Sequence, residues 1–160
     1  MNAVVVYDSA FGNTELVAQA IGHALGLLGQ VQVARVGEVD PARLAGLTLL
    51  VVGSPTQKFR PLPAVSSWLK AIPAGGLDGV NVAAFDTRYP QHMIDEVRIL
   101  AFFVRLFGYA ARPIADRLVK KGGHLVVPPQ AFYVGHTKGP LLEGELERAA
   151  GWARGVAAAP

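Results

Sequence analysis

The first loop of the chain that could do chemistry follows a short apolar run. Val4 to Val6 lead into Ser9, Gly12 and Thr14, and a segment of helical period begins directly afterwards. Hydroxyl groups, a glycine that permits close backbone approach and the N–H groups of a helix start together suit an anion. The loop has neither GxGxxG nor GxxxxGKS/T, which argues against a Rossmann dinucleotide site and a P-loop. It predicts a phosphate monoester site, although the same residue types also serve as plain turn and helix-cap residues.

Three further segments carry polar or aromatic residues where predicted elements end or begin. Gly53 to Thr56 follow the third predicted strand, Phe85 to Arg88 follow the fourth, and Gly139 to Glu145 precede the last helix. Together with the first loop, and in the same order, they resemble the flavodoxins, whose phosphate loop is usually written Ser/Thr-x-Thr-Gly-x-Thr. The resemblance covers essentially the whole chain.

This resemblance implies an α/β fold: a doubly wound three-layer α/β/α domain with a five-stranded parallel sheet in the order 2-1-3-4-5. It also implies noncovalent FMN at the carboxyl ends of the strands. The loop that would surround the FMN phosphate consists of Ser9, Ala10, Phe11, Gly12, Asn13 and Thr14. The residues that would flank the isoalloxazine ring are Pro55, Thr56, Gln57, Lys58, Phe59, Asp86, Thr87, Arg88 and Tyr89.

One residue and one loop depart from the flavodoxin pattern. Phe11 replaces a hydroxyl residue, so one side-chain hydrogen bond to the phosphate is missing, at a cost of about 1.5 to 3 kcal/mol. The segment from Ser54 to Arg60 contains no glycine, so a positive φ in this loop is costly.

Charge and aromatic residues in these loops set further expectations. Lys58, Arg60 and Arg88 stand where low-potential flavodoxins carry acids, which predicts a higher potential because cations favour the reduced, anionic flavin. Phe59 and Tyr89 are the candidates for stacking on the ring, and Tyr89 is the stronger one.

The elements that must position these loops alternate between strand and helix patterns, which is typical of a parallel sheet covered by helices. Nearly continuous Val and Leu suit strands that are buried on both faces. The predicted strands are 3–7, 31–36, 47–52, 80–85 and a last one, 124–127 with 131–134, which Pro128 and Pro129 interrupt. The predicted helices are 14–28, 63–72, 92–107, 111–121 and one that starts at Gly139-Pro140.

The predicted helix 92–107 belongs to a segment that is apolar on nearly every side. We interpret the residues near 92–109 as an insertion into an otherwise single domain, 1–160. Four roles remain open for this segment. The favoured one is an extra helix packed on its own domain, and the others are a lid over the flavin, a homodimer contact or a helix on a membrane surface. Of these, the membrane-surface role is not favoured.

Composition limits the remaining classes. The chain has 160 residues, a hydrophobic share of 51% and a formal charge of +3, so we expect one folded domain. No apolar run reaches the ~18 residues of a membrane span, which predicts a soluble cytoplasmic protein. The chain has no cysteine and its histidines lack ligand spacing, so we expect no metal site, and no module for nucleic acid is visible.

The sequence therefore favours an FMN-binding electron carrier without catalytic residues, whose partner is a redox protein or a small quinone-like acceptor, and which is a monomer or a homodimer. Two alternatives remain. One is an FMN-dependent NAD(P)H:quinone-type oxidoreductase, and the other is a module of the same fold that has lost its flavin.

Overall fold

The computed structural model describes residues 1–90, 92 and 95–160, and for residues 103, 106 and 107 it describes the backbone alone. Within these residues, six strands form one parallel sheet in the order β2-β1-β3-β4-β5, with β6 also paired to β4. The strands are β1 (Asn2–Tyr7), β2 (Gln30–Arg35), β3 (Leu49–Pro55), β4 (Asn81–Arg88), β5 (His124–Leu125) and β6 (Gln130–Tyr133). This confirms the predicted strand order 2-1-3-4-5.

The fifth position of the sheet is shared by β5 and β6. Asn81 pairs with His124, whereas Phe85 pairs with Gln130, so two extra residues lie on the outer side between the two pairings. Pro128-Pro129 fall in this gap, and proline cannot donate a hydrogen bond to a neighbouring strand. The predicted interruption of the last strand is confirmed, and it divides that strand into two.

Helices cover both faces of the sheet. They are α1 (Asn13–Gly26), α2 (Pro63–Ala71), α3 (Arg98–Phe107), α4 (Ala111–Lys120) and α5 (Glu145–Ala158), and a short 3-10 helix spans Val36–Glu38. Alternate residues of β1 point to opposite faces. Val4 and Val6 pack in the cluster that holds α2 and α4, whereas Val5 packs in the cluster that holds α1 and α5. The doubly wound three-layer fold predicted from the sequence is thereby confirmed.

Two helix starts differ from the prediction. The last helix begins at Glu145, after Gly144 with a φ of 84°, rather than at Gly139-Pro140. The reason is that Leu142 donates its N–H to the Tyr133 carbonyl at 2.9 Å, which continues strand-like pairing beyond Pro140. Helix α3 begins at Arg98, and residues 93 and 94 of the predicted helix 92–107 lie outside the described residues. Among the described residues, no helix combines the length and apolar character that crossing a membrane requires.

Candidate functional site

A cleft that is partly open to solvent lies at the carboxyl ends of β1, β3 and β4. Parallel strands bring the loops that follow them to this one edge of the sheet, which is where ligands bind in open α/β folds. Of the predicted FMN-binding residues, all but Gly12 and Asp86 line the cleft. Those that do are Ser9, Ala10, Phe11, Asn13, Thr14, Pro55, Thr56, Gln57, Lys58, Phe59, Thr87, Arg88 and Tyr89.

The loop between β1 and α1 is held in place by its own polar groups. The Gly12 N–H donates to Ser9 Oγ at 2.9 Å, and the Ser9 N–H donates to Asp8 Oδ1 at 2.8 Å. Gly12 precedes the helix with a φ of 93°, a conformation that glycine adopts without strain. The N–H groups of the first helical turn have no partner within the helix. They therefore present an anion-binding end at the cleft.

Two hydroxyls of the cleft, Thr14 on α1 and Thr87 on β4, share a hydrogen bond of 2.8 Å. Only one of the two protons lies in this bond, so the pair keeps a second hydroxyl proton for another acceptor. Asn13 donates its side-chain N–H to the Lys138 carbonyl at 3.1 Å and so joins the first loop to residues 136–140. Thr14, nearly fully buried, is thus placed to donate to an anion in the cleft.

Arg35, which was not predicted as a site residue, offsets part of the acidic charge next to the first loop. Its guanidinium lies 3.1 Å from the Asp8 carboxylate and 2.8 Å from the Glu15 carboxylate. It also donates to the Ser9 carbonyl at 3.4 Å. Two negative charges near the start of α1 oppose a bound phosphate, and the single cation of Arg35 offsets about half of that charge.

The loop after β3 forms a tight turn. Gln57 and Arg60 exchange backbone hydrogen bonds of 3.0 and 2.9 Å, so the two residues between them form the tip. Both tip residues have a positive φ, 48° for Lys58 and 65° for Phe59. Residues with a side chain rarely adopt this region, and the cost is about 1 to 2 kcal/mol each. The glycine-free loop predicted to be costly therefore does adopt a strained backbone beside the cleft.

Aromatic and apolar side chains form the rest of the wall. Phe59 and Tyr89 line the cleft as expected, and Tyr89 shares a hydrogen bond with the Thr137 hydroxyl. Tyr109 also lines the cleft, with the Arg88 guanidinium 3.6 Å from its ring centroid. Five further lining residues were not predicted from the sequence: Leu100, Val104, Tyr109, Val134 and Thr137. The predicted helix 92–107 was apolar on nearly every side, which indicated burial without showing which of its residues border the cleft.

Asp86 is the clearest correction to the expected site. Strand alternation turns it to the face covered by α4, away from Thr87, and its side chain is fully buried. Its Oδ2 accepts hydrogen bonds from the Ala111 N–H at 3.0 Å and the Thr56 hydroxyl at 3.3 Å. Its Oδ1 lies 3.2 Å from Arg88 Nε in an ion pair without an aligned hydrogen bond. Burial raises the pKa of Asp86 to about 6, which Arg88 and the two donors partly oppose.

Solved structures with the same arrangement identify the fold. A flavodoxin from the domain Archaea superposes with a TM-score of 0.75 and 23% identity, over 98% of this chain and 96% of the other. Oxidised flavodoxin 2 from Bacillus cereus superposes with a TM-score of 0.76 and 20% identity, over 98% of both chains. This protein has the flavodoxin fold. The resemblance found in the four sequence segments is confirmed at the level of the fold.

Sequence comparison gives a second kind of relative. The flavodoxin-fold chain is 30% identical over 153 residues to NADPH-dependent diflavin oxidoreductase 1 of Emericella nidulans. The match covers 89% of this chain and 21% of the oxidoreductase, so the chain spans about a fifth of the length of that curated relative. No protein-family model matches the chain.

The cleft offers two kinds of binding surface to a ligand. One part offers helix N–H groups and hydroxyls to a phosphate, and another offers flat aromatic rings and aliphatic side chains to a flat ring system. Its charged lining residues, within the part of the chain that the structure describes, are the cations Lys58 and Arg88. The residues present fit a negatively charged, aromatic ligand.

Proposed function

We propose that this protein binds FMN in the cleft and carries electrons between redox partners. The observation that supports this most directly is the continuity of one cleft, from the Ser9 to Thr14 loop to the aromatic wall at Phe59, Tyr89 and Tyr109. FMN supplies the reversible gain and loss of electrons, and the protein supplies binding, orientation and electrostatics. Both the flavodoxin fold and the name of the diflavin relative support this choice of cofactor.

In this proposal the first loop binds the phosphate. The N–H groups at the start of α1 and the spare proton of the Thr14–Thr87 pair donate to the phosphate oxygens. Arg35 pairs with the carboxylates of Asp8 and Glu15, so that they repel the phosphate dianion less strongly. Phe11 contributes its backbone N–H but no hydroxyl, and this makes the site weaker than one with a third side-chain donor.

The aromatic wall orients the ring and limits its contact with water. Tyr109 is backed by Arg88, which is itself held by Asp86, so a continuous series of contacts supports this side of the cleft. Leu100 and Val104 on the inner side of α3 add aliphatic contacts. The helix we interpreted as an insertion thus forms one wall of the cleft, and the proposal gives it the role of covering the ring. Transfer of electrons alone needs no catalytic acid or base.

Titration of the apoprotein with FMN tests this function, with flavin fluorescence as the readout. We expect saturable quenching at micromolar FMN with one site per chain, and binding of riboflavin weakened at least about tenfold because it lacks the phosphate. Thr14→Val should weaken FMN about tenfold and leave riboflavin unchanged, whereas Thr14→Ser, which keeps the hydroxyl, should behave like the wild type. No quenching at micromolar FMN would overturn the proposal and favour a module that has lost its flavin.

A second candidate function is an FMN-dependent reductase that takes hydride from NAD(P)H and passes electrons to a quinone. The observation in its favour is the 30% identity to an oxidoreductase that is NADPH-dependent by name. An assay of NADPH and NADH oxidation by FMN-loaded protein, with a quinone acceptor, separates the two. An electron carrier leaves the nicotinamide cofactor unoxidised, whereas a reductase turns it over many times per flavin.

A further inference from the structure

Three exposed cations surround the mouth of the cleft. Lys58 is at the tip of the 57–60 turn and lines the cleft, and Arg60 closes the same turn opposite Gln57. Lys138 extends from the 135–140 loop, and its ammonium group is 5.8 Å from the centroid of the Phe11 ring. We call Phe11, Lys58, Arg60 and Lys138 the mouth residues. They place positive charge on two separate loops of the same opening.

The acids near the opening are already paired or balanced. Asp8 and Glu15 both form ion pairs with Arg35. Asp86 is buried beside Arg88 and does not line the cleft. Asp95 and Glu96 are exposed just before α3, and α3 itself carries the exposed cations Arg98 and Arg105. The group of Asp8, Glu15 and Arg35 keeps one negative charge, and the other groups balance. Among the described residues, the three cations of the mouth exceed that charge, so the net charge around the opening is positive.

An exposed apolar side chain lies among these cations. Phe11 lines the cleft, is 48% exposed and faces the Lys138 ammonium group. A large apolar group within a rim of like charge is typical of a protein interaction surface.

We infer that the mouth residues form the docking surface for an electron-transfer protein with an acidic face. The inference rests on the proposed function, because docking there is useful only when a redox group occupies the cleft. Excess positive charge attracts an acidic partner and repels a basic one before contact, which raises the association rate and selects the partner. Phe11 then provides an apolar contact once the two surfaces meet.

The test uses FMN-loaded protein, photoreduced under anaerobic conditions with EDTA as the electron donor, and two cytochromes as probes. Acidic cytochrome b5 and basic cytochrome c each accept one electron per haem iron. Two cytochrome molecules therefore reoxidise one fully reduced flavin, which releases its protons to water. We expect the second-order rate constant with cytochrome b5 to fall as salt increases, and the rate constant with cytochrome c to rise or stay constant.

Two triple variants with the same change in net charge provide the comparison. Lys58→Gln, Arg60→Gln and Lys138→Gln neutralise the mouth. Arg43→Gln, Lys70→Gln and Lys120→Gln neutralise cations at the opposite edge of the sheet, where Arg43 lies beside Asn2 and Gln30 and the two lysines end α2 and α4. At low salt, the mouth variant should react about tenfold more slowly with cytochrome b5, and the control should stay within about twofold of the wild type.

The outcomes separate this inference from the proposed function. Equal losses in both triple variants, or salt effects of the same sign with both cytochromes, would overturn docking at the mouth. FMN titration of each variant accompanies the kinetics, so that a loss of flavin is not mistaken for a loss of docking. If the wild type itself does not bind FMN, the proposed function fails instead.

Discussion

At the scale of single residues, Asp86 shows how one carboxylate can organise a site without lining it. It joins β4 to the N-terminus of α4 through the Ala111 N–H and to the loop after β3 through Thr56. It also holds Arg88, which in turn backs the ring of Tyr109. The carboxylate is buried, so its charged form is penalised by desolvation and its pKa is raised to about 6.

This raised pKa predicts a specific dependence of stability on pH. In the unfolded chain the pKa of Asp86 is near 3.8, so between about pH 4 and 6 the folded state holds the proton more tightly. The stabilisation from this proton is complete below the unfolded pKa, is lost as pH rises towards about 6, and changes no further above that pH. The total is on the order of 3 kcal/mol.

Asp86→Asn removes this titration and should therefore gain stability relative to the wild type as pH rises from 4 to about 6.5. Urea unfolding of both proteins at half-unit pH steps measures the difference in unfolding free energy. Asp116→Asn, which removes an exposed carboxyl from α4, controls for the change in net charge. If the difference in unfolding free energy between Asp86→Asn and the wild type stays constant with pH, the pKa of Asp86 is not raised in the folded protein.

At the scale of elements, the turn formed by residues 57–60 is the most strained part of the described backbone. Lys58 and Phe59 both occupy positive φ, a region where glycine has no steric penalty. Strain of this kind persists only where the surrounding structure enforces it, and here the Gln57–Arg60 hydrogen bonds close the turn.

Lys58→Gly should relieve part of this strain and raise the unfolding free energy of the apoprotein by about 1 kcal/mol. Gln57→Gly is the matched control, because Gln57 is outside the positive-φ pair and a glycine there only adds freedom to the unfolded chain. Denaturant titration of the apoproteins gives both values. If Lys58→Gly is as destabilising as Gln57→Gly, the left-handed conformation of Lys58 is not a cost to the fold.

The elements also show what could be predicted from sequence. Val and Leu runs located β1, β3 and β4, and the Pro128-Pro129 pair located the break between β5 and β6. The start of α5 was predicted too early, because the pairing of Leu142 with Tyr133 is a tertiary contact that local proline and glycine signals do not encode. The same holds for α3: its apolar character was recognised, but which surface it covers depends on the packing of the whole chain.

The candidate site divides in the same way. Residues near strand ends, such as Ser9 and Thr87, were predicted correctly to lie at the carboxyl edge of the sheet, because the fold topology determines where strands end, and both line the cleft. Asp86 was misplaced because alternation along β4 decides which face it occupies, and the strand had been predicted to end before it. Tyr109 follows α3, so it could not be assigned to the cleft without the position of that helix.

At the scale of the whole molecule, charge is distributed between the two edges of the sheet. Lys58 and Arg88 line the cleft at the carboxyl edge, while Lys70, Lys120 and Arg43 lie at the amino edge. Reduction adds negative charge to a flavin, so cations near the cleft stabilise the reduced form and raise the potential. Arg88 is tied to Asp86, which offsets part of its effect, whereas Lys58 is exposed at the turn.

Lys58→Gln should therefore lower the two-electron midpoint potential of the FMN-loaded protein. Its cation is partly screened by water, so an effect near 1 kcal/mol is reasonable, which corresponds to about 20 mV. Lys70→Gln makes the same charge change at the far edge and should leave the potential within error of the wild type. Spectroelectrochemical titration of the three proteins at low salt measures the shift, and its decrease at high salt would show that it is electrostatic. Equal midpoint potentials in all three proteins would mean that the positive charge of Lys58 does not affect the potential of the flavin.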